Sequence, residues 1–378
     1  MRPETAEDGI ETPADLRAVA SESMTASPDA PDPPVADSGR TTSTYRFIRS
    51  VVQRSDMDIG VLTVPLGGDS REEAFDYLAG IGVDAVELGV GGFPGADHVD
   101  RRALLADGDA RAGLRADLDD RGLRVSAFAT HNNPLHPDEG RASEADRELR
   151  EAVELADEFG VDTVTCFSGL PAGGPNDEVP NWITAPWPTE HADAHEYQWE
   201  VAEEYWSDLA AHADRHGVDL AVEMHPNMLV HEPHGMSRLR ELTNDRVGAN
   251  FDPSHLYWQG IDATAAIRAL GERDAIHHVH AKDTKVYDAQ AREKGVLDTT
   301  DYADGANRSW LFRSVGYGHG ESHWKDVVST LRLVGYDGAL SIEHEDALAA
   351  SREGLEKGVD LLERAILETT PGDAYWAE

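Results

Sequence analysis

Lysine is scarce in this chain of 378 residues: five of its 33 basic residues are Lys, against 72 Asp and Glu, and the formal net charge is -39. A surface of that sign repels phosphate backbones and anionic headgroups, which argues against nucleic acid and membrane surfaces as partners. Cysteine is represented by Cys166 alone, so no intrachain disulfide can form, and a reducing cytoplasm is the expected setting. With no activating base near it in sequence, Cys166 reads as a small buried apolar residue rather than a nucleophile. No apolar run approaches the roughly 20 residues that span a bilayer, and the N-terminus has no signal-like apolar stretch. A GxGxxG phosphate loop is missing after the first strand-like run, which counts against a dinucleotide-binding open sheet.

Residues 1–55 are rich in Pro, Ser, Thr, Ala and acid (SPDAPDPPVADSG), a composition that cannot bury a core, and they are expected to form a disordered acidic tail. The fold is expected to begin at Met57, which is also a candidate for the true start of the chain. Residues 57–367 then alternate steadily between strand-like and helix-like patterns. Strands are expected at Ile59–Val64, Ala85–Leu88, Val125–Ala129, Thr163–Phe167, Asp219–Glu223, Val247–Phe251, Ala275–Val279 and Ala339–Glu343, each followed by a helix. Residues 368–378 are expected to form a short C-terminal tail. Eight such repeats predict an α/β fold, a (β/α)8 TIM barrel, with long loops after strands 4 and 7, Gly169–His191 and Thr284–Gly320. The intervals agree: Glu223 to Asp252 is 29 residues and Asp252 to His280 is 28, against roughly 30 per repeat in a barrel of ~250 residues.

In such a barrel the carboxyl ends of the strands form one open rim, and four potential metal ligands fall there: Glu223, Asp252, His280 and Glu343. A carboxylate at a strand end is desolvated unless it is paired or metallated. Three carboxylates and one imidazole make a hard donor set suited to one divalent ion, Mn²⁺, Mg²⁺ or Co²⁺, with Zn²⁺ less favoured. Taken singly, each residue could merely pair with an Arg or cap a helix. Four on successive strand ends point to a common centre.

Around them stand candidates for substrate contact. His131 ends strand 3, His225 follows Glu223 by two, and both could meet substrate hydroxyls or lie in surface loops. His255, three beyond Asp252, reads as a second ligand, a substrate contact or an exposed loop residue. Lys282 could hold an anionic or carbonyl oxygen, or pair with Asp283 or Glu345. Glu87, near the end of strand 2 and followed by a Gly-rich turn, could orient a ligand or substrate. Trp182, Trp187 and Trp258 are either sugar-stacking walls or the apolar underside of long loops.

AVEMHP, FDPSH, HVHAKD and SIEHED, in that order, resemble the xylose-isomerase-like barrel superfamily over about residues 57–367. That group includes sugar-phosphate isomerases and epimerases, inosose dehydratases and type IV apurinic endonucleases. The resemblance implies that Glu223, Asp252, His280 and Glu343 are metal ligands. It also implies that Glu223 and Glu343 move protons on opposite faces of a substrate carbon. The endonuclease pattern fits less well, because NRSWLFRSVGYGHG offers no Asp-x-His pair for a trinuclear centre. The expectation is a metal-dependent isomerase or epimerase acting on a small-molecule carbohydrate or keto-sugar through an enediolate. An inosose-type dehydratase is the alternative, with an endonuclease-like hydrolase or an idle sugar-binding barrel behind it. A homo-oligomer is an expectation from the resemblance alone. The acid-rich, Lys-poor composition is similar to that of proteins from salt-loving archaea, where salt screens self-repulsion.

Overall fold

The computed structural model describes residues 57–367 and 369. The expected acidic tail, residues 1–55, and all of the C-terminal tail except residue 369 lie outside the described residues. Eight parallel strands close into a barrel: β1 (Ile59–Leu62), β2 (Ala85–Gly89), β3 (Arg124–Ala129), β4 (Thr163–Phe167), β5 (Asp219–Glu223), β6 (Val247–Phe251), β7 (Ile276–Ala281) and β10 (Leu340–Ile342). Each strand pairs with its sequence neighbours, and β1 closes the ring against β10 with Ile59 opposite Leu340. Strand β8 (Asp283–Val286) follows β7 directly and pairs antiparallel with β9 (Trp310–Arg313), so the long loop after strand 7 is a hairpin rising from the rim. No helix among the described residues is long and apolar enough to cross a membrane.

The helices form by ordinary local rules. Helix α1 (Arg71–Gly80) starts at a reciprocal capping box between Ser70 and Glu73. Between β2 and β3 lie α2 (Arg101–Ala106) and α3 (Gly108–Asp119), where one helix was expected after the strand. The extra turns carry no apolar stripe, and Asp caps at positions 100 and 107 set them instead. Helices α4 (Glu139–Phe159) and α5 (Thr189–His216) both end on a left-handed glycine, Gly160 at φ 73° and Gly217 at φ 69°. Each glycine turns the chain within a few residues into the next strand, which delivers β4 and β5 to the barrel in register. The remaining helices are α6 (Pro233–Leu242), α7 (Ser254–Tyr257), α8 (Ala263–Gly271), α9 (Asp288–Lys294), α10 (Glu321–Leu333) and α11 (Ser351–Ala365). The loop after β4 has no helix before Thr189 and is long, as expected.

The outer core lies between strands and helices and is built from residues such as Phe75, Leu149, Val153, Trp206, Leu239, Ile267, Val328 and Leu355. Cys166 belongs to it, and burial pushes its thiol pKa upward. Inside the barrel the composition changes. Glu87, Thr165, Asn250, His278, His280 and Ser341 are all buried there, forming a polar column under the rim.

Candidate metal and proton-transfer site

Glu223 is the last residue of β5, Asp252 and Glu343 directly follow β6 and β10, His280 is the penultimate residue of β7, and one donor atom from each lies within 4.8 Å of the others. The backbone register explains the convergence. Ser341 pairs with His280, so Glu343, two residues on, rises beside it; Glu223 pairs with Asn250, so Asp252 stands beside Glu223. Nδ1 of His280 is 3.1 Å from Glu223 Oε2 and 2.9 Å from Glu343 Oε2. These approaches lack hydrogen-bond alignment: Nδ1 of His280, Oδ2 of Asp252 and Oε2 of Glu343 are buried without a hydrogen bond. Buried polar atoms ordinarily find partners. These atoms meet one another and Lys282 only as ion pairs out of hydrogen-bond alignment, and three carboxylates with one imidazole converging on one point fit a divalent cation at their common focus.

Glu87, expected to orient a ligand or substrate, lies beneath these four residues and against His280. Its carboxylate accepts from Thr165 Oγ1 (2.6 Å) and Ser341 Oγ (2.7 Å) and lies 3.0 Å from Nε2 of both His278 and His280. Burial alone would raise its pKa, but the two imidazoles hold it well below the usual range. A carboxylate on Nε2 holds a hydrogen there, so Nδ1, which faces Glu223 and Glu343, is the nitrogen that offers a lone pair when the ring gives up its second proton to a metal. His278 and the two hydroxyls went unnoticed in the sequence. The period-two spacing of His278 and His280 on one strand was the available signal, since it puts both inside the barrel.

The histidines named as substrate contacts line one side of Glu223. His131 Nε2 is 3.2 Å from Glu223 Oε2, and His255 Nε2 is 3.0 Å from Glu223 Oε1 and 3.1 Å from Asp252 Oδ2. Burial opposes a charge on His255, yet Asp252 beside it lifts its pKa to about 9. Asp252 is correspondingly held at about 2 against the effect of burial. His225 packs on His255 with ring centroids 4.3 Å apart, and burial with that neighbour drives it down to about 3, so it stays neutral. Asn250 Nδ2 donates to Glu223 Oε2 at 3.0 Å, a contact not foreseen in the sequence.

Lys282 is buried beside the cluster, 3.1 Å from Glu343 and 2.7 Å from Glu345. Burial disfavours its charge, but Glu343, Glu345 and Asp252 hold its pKa well above the usual value. Its Nζ lies 4.4 Å from the centroid of the Phe312 ring on β9, so the hairpin closes over this corner. Asp283, a possible partner of Lys282, turns away. It accepts the backbone N–H groups of Gly316, Gly318 and His319 and so pins the segment between β9 and α10 to the rim. Trp258 stacks on Trp310 within the hairpin's own small core, Trp182 is partly buried, and Trp187 is 81% exposed.

Residues 75–365 match the xylose isomerase-like TIM barrel family, and the chain belongs to it. The chain is 37% identical over 315 residues to the uncharacterized protein YfiH of Bacillus subtilis, covering 82% of this chain and 99% of that one. Among solved structures, the probable 3-DHS dehydratase AsbF of Bacillus anthracis superposes with a TM-score of 0.58 at 14% identity, over 81% of this chain and 99% of that one. The 3-keto-D-glucoside 4-epimerase YcjR of E. coli gives 0.54 at 15% identity, over 82% and 99%. At such identities the two structures speak for the fold, and they carry different chemistries on it.

Proposed function

We propose that this barrel is a divalent-metal-dependent isomerase or epimerase of a sugar or keto-sugar. The observation that carries the reading is the convergence of Glu223, Asp252, His280 and Glu343, with three of their buried donor atoms left without hydrogen bonds. A divalent ion held by these four residues would supply Lewis-acid stabilisation of the negative charge that develops when a carbon acid next to a carbonyl is deprotonated. The side chains supply the proton traffic. Glu223 and Glu343 approach the centre from strands three places apart in a ring of eight, so their carboxylates flank whatever binds between them. Burial would raise the Glu343 pKa, but Lys282 and His280 lower it, which keeps it ionised and competent as a base. Removing the proton on one face and returning it from the other inverts a carbinol centre; returning it to the neighbouring carbon isomerises the sugar. His131 and neutral His225 are placed to orient hydroxyls, and the net charge of -39 favours a small carbohydrate over a nucleic acid.

Lys282 favours one second reading. A buried ammonium 3.1 Å from Glu343 can protonate a departing β-hydroxyl, which would convert the same carbanion chemistry into dehydration. Incubation with Mn²⁺ and a panel of ketoses, keto-sugars and inososes in D₂O, followed by NMR, separates the two. Deuterium at the carbon next to the carbonyl with an intact skeleton, lost in Glu343→Gln, is the expected result. Uptake with loss of water moves the protein to the lyases. No exchange by a metal-loaded protein rules out enolisation of these substrates.

A further inference from the structure

The helix layer carries a second group of potential ligands, away from the barrel mouth. His212 and His216 lie one turn apart on α5 and Glu154 faces them from α4. One donor atom from each of the three lies within 4.8 Å of the others. The imidazole centroids are 4.7 Å apart. His212 is 8% exposed, and its Nε2 is buried without a hydrogen bond. Nδ1 of His216 is 2.8 Å from Asp157 Oδ2, and a carboxylate there leaves Nε2 as the lone-pair nitrogen of the ring. Arg215 approaches Nδ1 of His212 at 3.4 Å, the edge of hydrogen-bond range.

We propose that Glu154, His212 and His216 form a transition-metal site that ties α4 to α5, independent of the barrel centre. Two imidazoles and one carboxylate are softer than the barrel's three carboxylates and one imidazole. They select Zn²⁺, Ni²⁺ or Cu²⁺ over Mg²⁺ or Mn²⁺. The ion draws together two helices that deliver β4 and β5, so its effect is on stability rather than on chemistry.

The test is zinc binding by equilibrium dialysis of the full chain in molar KCl, which screens the acidic surface, with excess Mg²⁺ to fill the hard site. Wild type is expected to retain one more zinc than His216→Ala and to gain melting temperature with zinc where the variant does not. Removing a ligand should weaken the site at least as much as losing a supporting carboxylate does, about 10-fold or more. Glu154→Gln, a change at an exposed position, therefore tests the affinity without endangering the fold. Glu343→Gln should keep this zinc. Equal zinc content in wild type, His216→Ala and Glu154→Gln would overturn the assignment, as would loss of the additional zinc in Glu343→Gln.

Discussion

Glu87→Gln is the most informative single change, because it swaps one oxygen for nitrogen in a site with no slack. The wild-type carboxylate meets four donors: Thr165 Oγ1, Ser341 Oγ, His278 Nε2 and His280 Nε2. Two carboxylate oxygens have about four lone-pair positions, whereas a Gln amide offers one acceptor oxygen and two donor hydrogens. The amide oxygen can serve two of the four donors, and the other two, facing the amide nitrogen, lose their acceptor unless a hydroxyl turns to accept from it. Each buried unsatisfied group costs about 1–3 kcal/mol, which gives about 2–6 kcal/mol. Loss of one partner from a buried ion pair, about 3–5 kcal/mol, leads to the same range. That is a large part of the roughly 5–15 kcal/mol that holds a domain folded. The same change frees Nε2 of His280, so the ring no longer presents Nδ1 to the cluster reliably. Affinity for a divalent ion should fall about 10–100-fold. Urea unfolding reads the first effect, and calorimetric titration of metal-free protein with Mn²⁺ reads the second. A variant less than about 1 kcal/mol weaker than wild type, with unchanged Mn²⁺ affinity, would refute the role assigned to Glu87.

The other expectations rest on separate parts of the molecule. Glu343→Gln should leave far-UV circular dichroism unchanged while abolishing solvent exchange into substrate. His280 titrates well above an ordinary imidazole because Glu87 and Glu343 overcome the effect of burial. The metal-free site is therefore protonated below that raised pKa, so metal must displace a proton and affinity must rise with pH. Calorimetry in buffers of different ionisation enthalpy should show proton release, and pH-independent binding would contradict it. Gly92→Ala places a Cβ at φ 60° against the carbonyl oxygen of His131. It should cost about 2 kcal/mol or more in urea, together with weaker substrate binding through His131. Cys166 should resist a thiol reagent until the protein unfolds, since its side chain is buried and its thiol pKa is raised.

The fold was legible because strand-period and helix-period runs alternate eight times, and the interval of 28–29 residues between Glu223, Asp252 and His280 is that of one repeat. Boundaries failed where local polarity hides the pattern. α5 begins at Thr189, inside the loop expected over Gly169–His191, because TEHADAH is helical without an apolar face. The hairpin β8–β9 was missed because its strands are four residues each and 23 residues lie between them. The four strand-end residues could be named from sequence, since each sits at or just past the end of an apolar run. What holds them could not be. Glu87 meets Thr165, His278 and Ser341 from four different strands, and that long-range polar column leaves no local period.

The charge of the buried centre supplies an argument for a cation that does not depend on any motif. Glu87, Glu223, Asp252 and Glu343 bring four carboxylates into one low-dielectric volume, and Lys282 is the fixed positive charge among them. Each ion left uncompensated there would cost several kcal/mol. In the metal-free protein the deficit is met by protons on imidazoles, which is why His255 and His280 are both raised. A divalent cation meets it instead with two charges at one point, and the displaced protons leave neutral imidazole free to act as ligand or hydrogen-bond partner. Replacing Asp252 with Asn would remove one carboxylate and one donor together. Asp252 is held at about 2 by His255 and Lys282, so Asp252→Asn should destabilise the metal-free protein at neutral pH on either reading. If the cation reading holds, Mn²⁺ should stabilise wild type and Asp252→Asn should lose most of that gain; if the cluster is only an ion-pair network, Mn²⁺ should leave the stability of both proteins unchanged.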